Sequence, residues 1–191
     1  MTGRGSRGWR APGVSARPLL LEIASRFSPP YEVTTGAHVG IKLVDPSGRR
    51  PAILVSHRNE RRLFLRANYL VLSATVPGRG PGTEAELAAT MRGSLSKQRA
   101  KIGWKKPPPD GDEWLERLAA PMLEATKGIE AVQSLRATWS PKRAVWLLHV
   151  ETMSGSMVSG MMATLPIAVP FEQREASSFV ALVEAFSQTA G

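Results

Sequence analysis

Residues 97–114 read KQRAKIGWKKPPPDGDEW, and the periodicity assigned to this stretch and its upstream neighbours decides the fold. Lys97, Lys101 and Lys105 stand four apart, the spacing of one helix face. Upstream, Leu87, Met91, Leu95 and Ile102 fall along the opposite face. Thr83 and Glu86 have capping-box spacing, in which each side chain bonds the other's backbone amide. The spacing predicts an amphipathic helix between Thr83 and Gly103, stopped by Gly103 and the prolines at 107–109. Asp110 or Asp112 then caps a second helix, with Asp112, Glu113 and Glu116 favoured by the dipole of its first turn. Trp114, Leu115, Leu118 and Met122 supply its apolar stripe, and Pro121 is expected to kink or split it.

Working outward, both flanks alternate. On the N-terminal side, GAHVGIKLVD places Val39, Ile41 and Leu43 on one side of a strand. DPSG is a turn, AILVSH a second strand, RNERR a second turn and LFLRANYLVLSATV a long third strand. Connections this short enforce an antiparallel meander. The glycines of PGRGPG, residues 77–82, match neither phosphate-cradling fingerprint and read as a flexible turn. On the C-terminal side come AVQSLRATW, the turn SPKR, AVWLLHVETM and MVSGMMATLPIAV. A short helix from Pro18 to Phe27 precedes the first strand, and a helix opened by Pro170 presents Phe179, Leu182, Val183 and Phe186 on one face.

The expected architecture is α+β: one mainly antiparallel sheet of about six strands with helices on one face, in the order α-βββ-α-α-βββ-α. Residues 1–16, rich in glycine, arginine and serine, are expected to form a disordered basic tail that also has the composition of an organellar leader; residues 17–190 are expected to form a single α+β domain, with a half boundary near 107–111. Residues 1–106 carry 19 Lys/Arg against 6 Asp/Glu, a net +13, whereas residues 107–191 carry 6 against 10, a net −4. That asymmetry suits an anionic partner for the first half or docking of one half on the other. The chain has no cysteine, which excludes disulfides and thiolate chemistry, and no apolar run of bilayer-spanning length. The expected location is the cytoplasm.

Catalytic signatures are sparse. His38, His57 and His149 belong to no ligand pair, although His149 and Glu151 share one side of a strand. Ser94 and Lys97 have the S-x-x-K spacing of acylating serine enzymes, without the companion motifs. No catalytic residue, metal or cofactor is assigned. Met153, Met157, Met161 and Met162 fall within ten residues, and the flexible thioether suits core packing first and an adaptable contact surface second. Pro166 cannot donate to a sheet ladder, so this segment is expected to be an edge strand with an uncharged outer side. The reading is a non-catalytic protein-binding or assembly module, chaperone-like or a complex subunit. It contacts another chain or a second copy, a homodimer being favoured, through Met157, Met161, Met162 and Thr164. The alternative is a sheet-based nucleic-acid binder using Lys97, Arg99, Lys101, Trp104, Lys105, Lys106, Arg61 and Arg62, with Trp104 free to stack on a base. A third is an enzyme whose motif is not legible.

Overall fold

Alternation of apolar side chains lays down most of the molecule. The computed structural model describes residues 16–34, 40–62, 65–92, 99–160 and 167–190. The elements run α1 (Ala16–Ser25), β1 (Glu32–Thr34), β2 (Gly40–Val44), β3 (Ile53–Arg62), β4 (Leu65–Pro77), β5 (Ala85–Arg92), β6 (Arg99–Lys106), α2 (Gly111–Gly128), β7 (Val132–Ser140), β8 (Val145–Gly160), β9 (Ile167–Ala168) and α3 (Gln173–Ala190). The class is α+β, and every strand pairing among the described residues is antiparallel. Among the described residues the sheet has nine strands, not about six, and three helices accompany it. The order is therefore α-ββββββ-α-βββ-α, which corrects α-βββ-α-α-βββ-α.

The main correction falls on the opening stretch. The expected helix between Thr83 and Gly103 is instead β5 and β6, paired from Glu86↔Lys106 to Arg92↔Arg99. A spacing of four is a multiple of both periods: Leu87 and Met91 share a face in a helix and also in a strand. Tertiary context resolves the tie, because β5 closes onto β7 and buries Ala85 and Leu87 completely. Glu86 makes no capping box; its carboxylate lies 3.5 Å from Lys105 Nζ across the hairpin. The second expected turn is corrected too: RNERR continues β3, which pairs with β4 through Arg62↔Leu65. The helix α2 runs through Pro121 unbroken, and Asp110 accepts from Trp114 Nε1 at 3.0 Å and makes no side-chain bond to the backbone.

Strand order is β1-β2-β3-β4-β8-β7-β5-β6, with β9 beside the far end of β8. β7 and β8, which follow residue 111, are inserted between β4 and β5, so both halves of the chain build one sheet. One face carries the core. Cross-strand rows such as Leu43–Ile53–Ala74–Leu148–Ala137–Leu87 are buried and meet the apolar stripes of α1, α2 and α3 in a single cluster. At its centre Trp146 packs against Trp139, Trp114 and Phe186, at centroid distances of 5.4, 6.2 and 5.6 Å. The glycine loop is pinned to this cluster: Trp139 Nε1 donates to Pro81 O at 2.6 Å and Trp146 Nε1 to Arg79 O at 3.0 Å.

Glu175, almost fully buried, clamps the start of α3. Its Oε2 accepts from the backbone amide of Glu172 at 2.8 Å, the reach-back half of a capping box, and its Oε1 accepts from the amide of Glu130 at 2.9 Å. Both oxygens are used by backbone, so this carboxylate is structural.

Candidate functional site

The second face of the sheet receives no helix among the described residues, because every helix packs on the tryptophan side. Its central row runs Lys42–Leu54–Ser73–His149–Arg136–Ala88–Gly103 across seven strands. A parallel row contributes Thr75–Leu147–Thr138–Glu86. Lys42, Leu54, Ser73, Thr75, Leu147 and His149, with Ala52, line a shallow concavity of about 590 Å³. Leu147 is 38% exposed there, and Leu54 is half-buried. Apolar side chains at positions where alternation calls for polar ones mark a face not adapted to water alone.

Beside the concavity lies Glu151, only 6% exposed, on the same face. A bare carboxylate could not sit there, and Arg58 supplies the counter-charge from β3. Arg58 Nε donates to Glu151 Oε2 at 3.0 Å and Nη2 to Oε1 at 2.5 Å, while the guanidinium also bonds Glu60 and lies 5.3 Å from the Tyr69 ring centroid. This two-pronged pair occupies the carboxylate that His149 would need as an acid–base partner. Burial, reinforced by the nearby Arg136 charge, lowers the His149 pKa below its ordinary value and favours the neutral ring. His57 lies on the helix side, where its Nε2 donates to Gly155 O at 2.9 Å. Its Nδ1 is buried without a hydrogen-bond partner, and burial lowers its pKa as well. Among the described residues no group of three His, Cys, Asp or Glu side chains is close enough to hold a metal.

The residues expected to act together are distributed unevenly. Met157 is on β8, between β4 and β9, and is 8% exposed. Met161, Met162 and Thr164 lie outside the described residues, as do Ser94, Lys97, His38 and all but the last residue of the 1–16 tail. Arg99, Lys101, Trp104, Lys105 and Lys106 do come together, on β6. Arg61 and Arg62 are on β3, with four strands between it and β6, and their side chains lie outside the description. Trp104 faces the helix side, where its indole N–H donates to Gly111 O at 2.9 Å. Arg50, in the first basic meander, is committed to Glu184 at 2.6 Å, and that bond raises its pKa.

Leu54 and Leu147 were not singled out by sequence, although both interrupt an alternation, in AILVSH and VWLLHV, with a second apolar side chain. That doubling is the signal that finds a two-sided strand. No helix of the described chain is long and apolar enough to cross a membrane. The chain matches no family model, no curated protein and no solved structure.

Proposed function

We propose that this protein is a non-catalytic binding module whose open sheet face packs against another protein chain, a second copy of itself being the first case to test. The observation that carries the reading is the exposed Leu147 and half-buried Leu54 on a helix-free face. Size supports it. Seven strands at about 4.8 Å spacing span about 29 Å, and the β8 stretch Val145–Thr152 extends about 26 Å. The resulting patch of roughly 750 Å² is close to the ~800 Å² that each partner contributes to a standard interface. Small polar neighbours such as Ser73, Thr75 and Thr138 let a second surface approach Leu54 and Leu147 closely.

The competing reading, nucleic acid, draws on the cations of β6. It loses its stacking residue, since Trp104 is engaged on the helix side and Tyr69 lies against Arg58.

The double substitution Leu54→Lys/Leu147→Lys tests the proposal. Expected is at least a tenfold weakening of association by light scattering, about 1.4 kcal/mol or more, with the melting temperature held within a few degrees. Association unchanged in a folded double variant would remove the open face from the interface.

A further inference from the structure

The strand β6 ends the sheet: it pairs with β5 on one side, and among the described residues nothing pairs with its other side. An unpaired edge offers a row of free backbone donors and acceptors. Its side chains alternate in chemistry as well as direction. Ala100, Ile102 and Trp104 are half-buried on the helix side, where Ile102 and Trp104 extend the apolar core to the rim. Arg99 and Lys101 point to the open face and are exposed.

The open-face side of this edge is strongly positive. Arg92 pairs with Arg99 across the hairpin, and Arg136 on β7 sits beyond Ala88, which itself pairs with Gly103. Among the described residues Arg92, Arg99 and Lys101 make no ion pair and Arg136 bonds only Ser134 Oγ, at 3.0 Å. Lys105 and Lys106, at the other end, are matched by Glu86 and Glu84 at 3.5 and 2.9 Å. Between them Gly103 leaves a gap, since a Cβ built there meets nothing within 4 Å.

A second copy is a poor occupant, because edge-to-edge pairing through β6 would set this cationic row against itself. An extended segment alternating carboxylates with apolar side chains fits every element at once. Its backbone continues the ladder, its acids face Arg99 and Lys101, and its apolar side chains extend the Ile102–Trp104 stripe. We propose that β6 is the site at which an acidic, extended segment of a partner protein adds to the sheet as a further strand. The inference rests on the reading of the chain as a protein-binding module and specifies the chemistry of what it binds.

The test uses the full chain and a short fluorescent peptide alternating glutamate with valine and threonine, read by anisotropy. Expected is saturable binding that weakens with salt and falls at least tenfold in Arg99→Glu/Lys101→Glu, whose exposed positions leave the melting temperature unchanged. N-methylation of alternate peptide residues is expected to weaken binding by at least a further tenfold, because it removes ladder donors that surface charge alone does not need. Three outcomes overturn the proposal: no binding by the wild-type chain, indifference to N-methylation, or tighter binding of a single-stranded oligonucleotide of equal charge. Failure here alongside loss of association in Leu54→Lys/Leu147→Lys would sink the edge site and leave the protein-binding reading standing. Absence of both would sink both.

Discussion

Trp146→Ala is expected to lower the unfolding free energy by about 4 kcal/mol, within the range of about 3–5 for truncating a buried tryptophan. The residue is fully buried at the meeting point of α2, α3, β7 and β8, touching Trp114, Phe186 and Trp139. Three ring neighbours cannot collapse into the vacated space without leaving one another, so a cavity remains. The hydrogen bond from its indole to Arg79 O is lost in the same step, freeing the glycine loop that rests on Trp139. Trp146→Phe keeps a ring and loses the donor, and is expected to cost about half as much. Urea unfolding of both variants gives the numbers. A loss under about 1.5 kcal/mol for the alanine variant would mean that the aromatic cluster does not organise the core.

Gly155→Ala is expected to be the second large effect, at about 3 kcal/mol, from left-handed strain of about 1–2 together with overpacking of about 1–3. Gly155 has φ +71, and a Cβ there would stand 2.7 Å from Leu70 Cδ2 and 2.9 Å from Ile23 Cδ1, both in buried side chains. Gly48 is the matched control: its φ is +68, but nothing lies within 4 Å of a Cβ built on it. Gly48→Ala should therefore show the strain alone, about 1–2 kcal/mol. The difference between the two melts isolates packing around Gly155 on β8. Equal losses would contradict the tight contact between α1 and β8 at Gly155.

What the sequence revealed follows from which interactions are local. The helices α1, α2 and α3 and the β2–β3–β4 meander are legible because their apolar periods are unambiguous over several residues. Residues 85–106 are not, because Leu87 and Met91 satisfy both periods and the alanines favour helix, whereas the burial that selects strand comes from β7, far along the chain. The insertion of β8 beside β4 is equally illegible, since no local signal fixes pairing between distant strands. The same holds at the candidate site. Arg58 and Glu151 form their pair across 93 residues, and nothing in either segment announces the other. His149 was visible as a polar group on one side of its strand, but not that Leu54 and Ser73 stand beside it. Trp104 stands out in the sequence as an aromatic among cations; only the fold shows that its indole is turned toward Gly111.

Placing a photo-crosslinking amino acid at position 147, and separately at the exposed position 116 on α2, tests the central claim most directly. In cells expressing each form, the account predicts discrete adducts of one or a few defined masses from position 147 and none from position 116. No adduct from position 147, or the same adducts from both positions, would contradict docking through the open face of the sheet.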